Sequence, residues 1–340
     1  MSAADYANAR AAARRAGLLG DRGVRELLAR PRTGDRLAAL ADGAWRRAVP
    51  AISADAVDAV VRGLAEDVAR EAREVLSFLG ARPRRRVAAL LRLEDAAVLE
   101  AILRGLFVHA PRSRIVAGAW PSPGLAPALV AELAALPAPE RAPELLAERG
   151  SPLAGAAAAA VEASADEPRL VRMAVALQRR VVEDASAEVA GHGEDARIAR
   201  AVLAGHVDGR NATTLLSVDD PDHAAALLLP GGTHPVEALR AVAAGSMVDR
   251  RAAVAAWLAP RPGGARLDPA ALADPALASQ ALARVRHRAL QRAARASPFS
   301  IAVPLALVAD RRVEARRIAV VLLGAEHGLP ADVLLDLVEA

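Results

Sequence analysis

Residues 53–80, SADAVDAVVRGLAEDVAREAREVLSFLG, decide the fold class. Val57, Val60, Val61, Leu64, Val68, Val75, Leu76 and Leu79 recur at helical spacing with acids and arginines between them. That is the pattern of an amphipathic helix with one buried face. Working outward, the same reading predicts helices over 2–19, 85–106, 125–136, 168–190, 195–205, 209–218, 235–244 and 280–295. Three more follow over 301–309, 311–323 and 331–339. Ser2 and Asp5 form a capping-box pattern and Gly20 is the expected stop of the first helix. Pro304 is expected to interrupt 301–309, Gly324 to end 311–323, and Pro330 to start the last helix. Pro/Gly-rich loops are expected over 119–127, 137–153 and 258–269, and Ala156–Ala160 reads as low-complexity helix. No strand alternation persists, so the chain is all-α.

Composition agrees. Hydrophobic residues make up 54% of the 340 residues, aromatics only 2%, so cores must be built from Leu, Val, Ile and Ala. Those residues suit closely packed helices. All 44 basic residues are arginine, against 40 acids, and the sequence pI is about 10.7. With no Cys, no Lys and one Tyr, little titrates between neutrality and the arginine range, so a charge of +4 suffices for that pI. The charges are interspersed and lack stacking aromatics, which argues against nucleic-acid binding. The absence of cysteine excludes disulfides, thiolate metal sites and thiol catalysis. The N-terminus has no apolar signal region, and no window of about 18 residues is apolar and uncharged. A cytoplasmic chain is expected, in which the sequon at Asn211 carries no sugar.

Three stretches repeat one another. Glu94–Gly105, Val207–Val218 and Val313–Gly324 each carry a carboxylate followed by about three turns of aliphatic helix. The acids Asp95, Asp208 and Glu314 lie 113 and 106 residues apart. Gly105 and Gly324 each follow their acid by ten residues, and Pro111 and Pro330 by sixteen. Trp120-Pro-Ser-Pro-Gly-Leu125 and Leu229-Pro-Gly-Gly-Thr-His234 each open a further helix. This predicts three homologous helical-bundle domains, 1–136, 137–245 and 246–340.

That organisation resembles the C subunit of A/V-type rotary ATPases, the relative of subunit d in eukaryotic vacuolar ATPases. Ser297-Pro-Phe-Ser-Ile301, Asp310–Ile318 and Gly324–Pro330 look like the family's Pro-Phe-Gly, Glu-x-x-Asn and Gly-Leu-Pro elements. Val207–Asn211 and Leu229–Gly232 look like its acid-x-x-Asn and Leu-Pro-Gly-Gly elements. Arg104-Gly105 matches a Leu-Arg-Gly ending, and Tyr6, Asn8 and Arg10 a Tyr-x-Asn-x-Arg start. Arg317 and Val98 depart from the family's Asn, Ser300 departs from its Gly, and many tyrosines are missing. The resemblance implies a pseudo-threefold, funnel-like body acting as a non-catalytic central-stalk rotor subunit. Its implied partners are the proteolipid ring and the central shaft, between which it transmits torque for proton- or sodium-coupled ATP hydrolysis or synthesis. It implies a peripheral place at the inner face of the membrane, without a membrane span, cofactor, metal, nucleic acid or small-molecule substrate. An unrelated α-helical scaffold or protein-interaction module is the alternative.

Candidate shaft or ring contacts are Asp95, Arg104, Asp208, Asn211, Glu314 and Arg317. The three acids could line a polar socket, or they could stabilise helix N-termini through the macrodipole. Arg82, Arg84, Arg85 and Arg86 could touch lipid headgroups or an acidic partner, or form a solvated face balanced by Glu71 and Glu74. Asp219, Asp220, Asp222 and His223 invite a metal, but lack the glycine and terminal glutamate of a calcium loop. Gly191-His-Gly193-Glu-Asp-Ala196 matches a dinucleotide fingerprint but follows a helix, not a strand, so a helix–loop–helix junction is expected. No Walker-type loop or Gly-x-Ser-x-Gly is present, so no ATP hydrolysis by this chain is expected.

Overall fold

Six long amphipathic stretches become the frame of the molecule. In a computed structural model, which describes residues 3–49, 57–165, 169–258 and 269–339, every regular element among the described residues is helical. The frame consists of α4 (Val57–Phe78), α5 (Ala81–Phe107), α10 (Arg169–Val189), α11 (Glu194–Ser217), α15 (Pro275–Ala296) and α16 (Ala302–Glu326). They form three hairpins, α4–α5, α10–α11 and α15–α16. Across hairpins, α5 packs on α10, α11 on α15, and α16 on α4, so the six close into a ring.

The hairpin turns meet at one end. Arg86 Nη2 at the first turn donates to the Ala190 carbonyl at the second (3.2 Å). From the third turn, Ser297 Oγ donates to Glu194 (2.6 Å) and Ile301 N to Asp195 (3.0 Å). The largest buried cluster runs behind these turns through Val75, Leu79, Val87, Val189, Ile198 and Ile301.

Short helices fill the other end. Between α5 and α10 lie α6 (Arg112–Gly118), α7 (Pro127–Leu133), a 3₁₀ turn (Pro139–Arg141), α8 (Ala142–Glu148) and α9 (Ala154–Ala163). Between α11 and α15 lie α12 (Pro221–Ala226), α13 (Val236–Ala243), α14 (Met247–Leu258) and a 3₁₀ turn (Pro269–Ala273), around their own apolar cluster. A third cluster unites both ends of the chain. It joins α2 (Gly20–Leu28), α3 (Thr33–Ala41) and Trp45 to the outer half of α4 and to α16 and α17 (Ala331–Glu339). The first helix, α1 (Ala3–Ala16), lies against α16 and α4.

Several boundaries differ from the sequence reading. Pro304 does not interrupt a helix: it is the third residue of α16, where its missing N–H would have had no intrahelical acceptor. α11 runs unbroken through 205–209 despite two glycines, because Leu203, Val207, Gly209 and Leu215 are buried against its neighbours. The 137–153 segment contains α8 and a 3₁₀ turn, with Pro139 and Pro143 placed in first turns. α1 ends at Ala16, and Gly20, at φ +63°, begins α2 rather than stopping α1. The Ser2 cap, and most of the 258–269 loop, lie outside the described residues.

Gly105 and Gly324 do the same work in two repeats. A Cβ on Gly105 would stand 2.7 Å from Ile115 of α6, and one on Gly324 would overlap Leu334 of α17. In both, the residue five positions on donates its N–H back to the glycine carbonyl: Ala110 to Gly105 (2.9 Å) and Leu329 to Gly324 (2.8 Å). So α16 continues past Gly324 to Glu326, and the glycine serves contact rather than termination. By contrast, nothing lies within 4 Å of a Cβ on Gly205. Gly205→Ala is therefore expected to stabilise the protein by up to about 1 kcal/mol, and Gly324→Ala to destabilise it by about 1–3 kcal/mol through overpacking. Denaturant unfolding of both variants checks the pair.

Candidate functional site

The repeated carboxylates sit in mid-helix and hold loops. Asp95 is buried on α5 and accepts Gly124 N (2.8 Å) from the loop before α7. Asp208 on α11 accepts the amide (2.8 Å) and hydroxyl (2.5 Å) of Thr233, in the loop before α13. Glu314, buried on α16, accepts Leu19 N (3.1 Å), Gly20 N (2.9 Å) and Trp45 Nε1 (2.6 Å). The macrodipole reading fails on position: α5, α11 and α16 begin at Ala81, Glu194 and Ala302, more than two turns before the acids. The glycines of two loops allow the approach. A Cβ on Gly124 would stand 2.5 Å from Asp95, and one on Gly232 would overlap Asp208.

The other candidates are likewise held within the chain. Asn211 is 1% exposed and pairs with both backbone groups of Leu229, donating to its carbonyl (2.9 Å) and accepting its N–H (2.8 Å). Arg317 pairs with Asp21, and the half-exposed Arg104 with Glu100 (3.0 Å). Three of the six candidates, Asp95, Asn211 and Glu314, are buried. Of the arginine run, Arg86 is buried, and Glu71 and Glu74 balance Arg14, Arg47 and Arg311 rather than that run. Asp220 caps α12 by accepting His223 N (2.6 Å). Gly191 and Gly193, both at positive φ, form the α10–α11 turn, as the helix–loop–helix reading expected.

The structure also assembles a charged group carried by α5, α11, α15 and α16. Arg312 of α16 forks onto Glu94 of α5, and Arg210 of α11 reaches Glu100 of α5 (3.1 Å). The first pair links α5 to α16, and the second links α5 to α11, which also pack directly on each other. Arg286 of α15 and Arg316 of α16 stand beside them, exposed to solvent. Burial and the neighbouring Arg316 and Arg210 cations lower the Arg286 pKa. Burial and Arg316 push Arg312 down to about 10, so it stays charged at neutral pH. Burial, Arg286 and Arg210 push His206 of α11 down to about 3, leaving it neutral with Nε2 unbonded among the described residues. The sequence reading missed this group. Its legible signal is one-turn spacing, His206 to Arg210 and Arg312 to Arg316, which puts each pair on one helix face.

A family model described as ATP synthase (C/AC39) subunit matches residues 7–337. The chain belongs to this family. C/AC39 membership makes it a V/A-type ATPase subunit, on the structural and not the catalytic side of the complex, and removes the reading as an unrelated scaffold. No curated protein matches the chain. Among the described residues of this C/AC39 member, no helix is long and apolar enough to cross a membrane.

Asp95 offers a test of the loop clamp. Burial raises its pKa, against the lowering influence of the nearby Ser122 hydroxyl, the Gly124 amide and the Arg92 and Arg73 cations. A carboxyl whose folded pKa lies above its unfolded value contributes stability at low pH that is lost as pH rises through the folded pKa. Asp95→Asn keeps an acceptor for Gly124 without the buried charge, and is expected to match or exceed wild-type stability at pH 7. Asp95→Ala leaves the Gly124 N–H unpaired and is expected to cost about 1–3 kcal/mol. Urea unfolding between pH 4 and 8 distinguishes these outcomes.

Proposed function

We propose that the chain is the central-stalk rotor subunit of a V/A-type ATPase, joining the membrane proteolipid ring to the central shaft and passing torque between them. The observation that carries this reading is the closed ring of six long helices, capped at one end by joined turns, in a chain of the C/AC39 family. Torque transmission needs a body that does not shear. Here each long helix is packed on at least two others, and the ion pairs Glu94–Arg312 and Glu100–Arg210 tie α5 to α16 and to α11. In this reading one end of the body seats the shaft, and the outer short helices meet the ring.

Within this proposal the body comprises three related units, 1–136, 137–245 and 246–340, in pseudo-threefold, funnel-like order. The recurring bond from a mid-helix acid to a loop amide supports it. Asp95, Asp208, Glu314 and Asn211 act in this picture by shaping the seat and its rim, with Arg104 and Arg317 nearer partner surfaces. The protein works at the cytoplasmic face of the membrane as a peripheral member of the complex, without a cofactor or substrate of its own.

Co-expressed with the remaining ATPase subunits, the chain is expected to co-purify with both the proteolipid ring and the shaft. Its deletion is expected to leave ATP hydrolysis by the soluble catalytic part while abolishing ion pumping into vesicles. Recovery only as a free monomer from cells making those subunits, or pumping undiminished by the deletion, would overturn the proposal.

A further inference from the structure

The ends of α5 and α16 make the same turn with different residues. Val108 N bonds back to the Arg104 carbonyl and His327 N to the Leu323 carbonyl. His109 and Gly328 then follow in the left-handed region, at φ +49° and +71°. Glycine takes that conformation freely, whereas a residue with a Cβ takes it at a cost. His109 is the one non-glycine residue at positive φ among the described residues. The register continues beyond it: Ala110, Pro111 and Arg112 stand where the end of α16 has Leu329, Pro330 and Ala331. His-Ala-Pro-Arg thus replaces Gly-Leu-Pro-Ala on the same hydrogen-bonded turn.

The three replacements meet in one cavity. His109, Ala110 and Arg112 line a space of about 420 Å³ together with Leu106 of α5, Ile115 of α6, and Ala134 and Leu136 at the end of α7. At α16, Leu329 reaches back to 3.4 Å from where a Cβ on Gly324 would be. Ala110, with a methyl group in place of that isobutyl group, leaves room at the matching position. The floor is apolar and no acid is among the lining residues. His109 and Arg112 are exposed, and neither side chain has a hydrogen bond or ion pair among the described residues. A costly backbone conformation, held by a side chain that bonds nothing within the chain, points to a partner outside it.

We propose that this cavity binds the phosphate headgroup of an anionic membrane lipid, with Arg112 and His109 on the phosphate and the apolar floor beneath the glycerol backbone. The guanidinium offers phosphate oxygens a planar pair of donors, and the imidazole adds an N–H. Val108, next in the chain to His109 and 60% exposed, adds apolar surface. A free phosphate would satisfy the two donors but leave the apolar floor unused. The inference rests on the central-stalk reading in one respect: there the outer short helices, α6 and α7 among them, meet the membrane ring, which brings the cavity to the lipid surface.

The test floats the purified full chain with phosphatidylcholine vesicles, with and without phosphatidylglycerol. Wild type is expected to bind the anionic vesicles and not the neutral ones. Arg112→Gln is expected to lower partition about fivefold, the share of one cation at an anionic surface. The triple variant His109→Gly, Ala110→Leu, Arg112→Ala writes the α16 turn into α5 and is expected to lower partition more than about tenfold. It is also expected to melt no lower than wild type, since glycine is the relaxed residue at that position. Arg84→Gln, at the joined turns, is the control and is expected to change partition less than about twofold. Wild-type-like partition in either folded cavity variant, a loss at Arg84→Gln equal to that at Arg112→Gln, or equal binding to neutral vesicles would overturn the inference. So would inorganic phosphate raising the melt of wild type but not of the triple variant without any vesicle binding, which would reassign the cavity to a small anion. Each of these outcomes leaves the central-stalk reading standing, because that reading is decided by co-purification with ring and shaft.

Discussion

A single buried carboxylate closes this molecule. Glu314 sits in the middle of α16 and takes three N–H groups from the other end of the chain, at Leu19, Gly20 and Trp45. Unpaired, a buried charge of this kind would be costly to the fold. With three donors it becomes a fixed anchor, because each alternative placement of α2 leaves the charge less satisfied. The anchor draws Trp45, the one aromatic among the largest fully buried side chains, into the cluster where α4, α16 and α17 meet. That junction adds the N-terminal helices to the contact between α4 and α16 that closes the ring.

Arginine does the work that aromatics and lysine do in other proteins. Arg311, next to the anchor, stacks over Trp45 (4.4 Å), donates to the Ala44 carbonyl (2.9 Å) and pairs with Asp67 and Glu71. Arg250 is 1% exposed and spends its guanidinium on three carbonyls, those of Gly245, Val218 and Asp219. A planar fork with five donors satisfies several acceptors around one buried point, which a lysine ammonium on a flexible stem does less well. The very basic pI thus reflects an internal bonding material, with most cations met by an acid or a carbonyl.

Small residues set the spacing of the frame. With alanine, leucine and valine in the core, helices approach closely, and glycine marks the tightest points. Gly105 and Gly324 admit Ile115 and Leu334, and Gly124 and Gly232 admit the loops to their acids. Each of these places is where a short outer element docks on a long frame helix. The frame is consequently joined at its turns and decorated outside by the short helices.

The sequence by itself determined that the chain is helical, where the long helices run, and that an acid and a glycine recur at set spacing. Those are local facts: periodic burial of one face needs no knowledge of the partner. It also carried the family motifs matched over 7–337. It could not show that the acids lie in mid-helix bonding loop amides, since nothing local separates such an acid from one at a helix start. It misread Pro304 and the glycines of α11, because local breakers yield where tertiary packing offsets their cost. Only the tertiary structure decided that residues 19–20 complete the contacts of a helix almost 300 positions later, and that Arg210 of α11 pairs with Glu100 of α5. The reason is that burial and charge neutralisation depend on which faces meet, and that choice is made by ring closure across the whole chain.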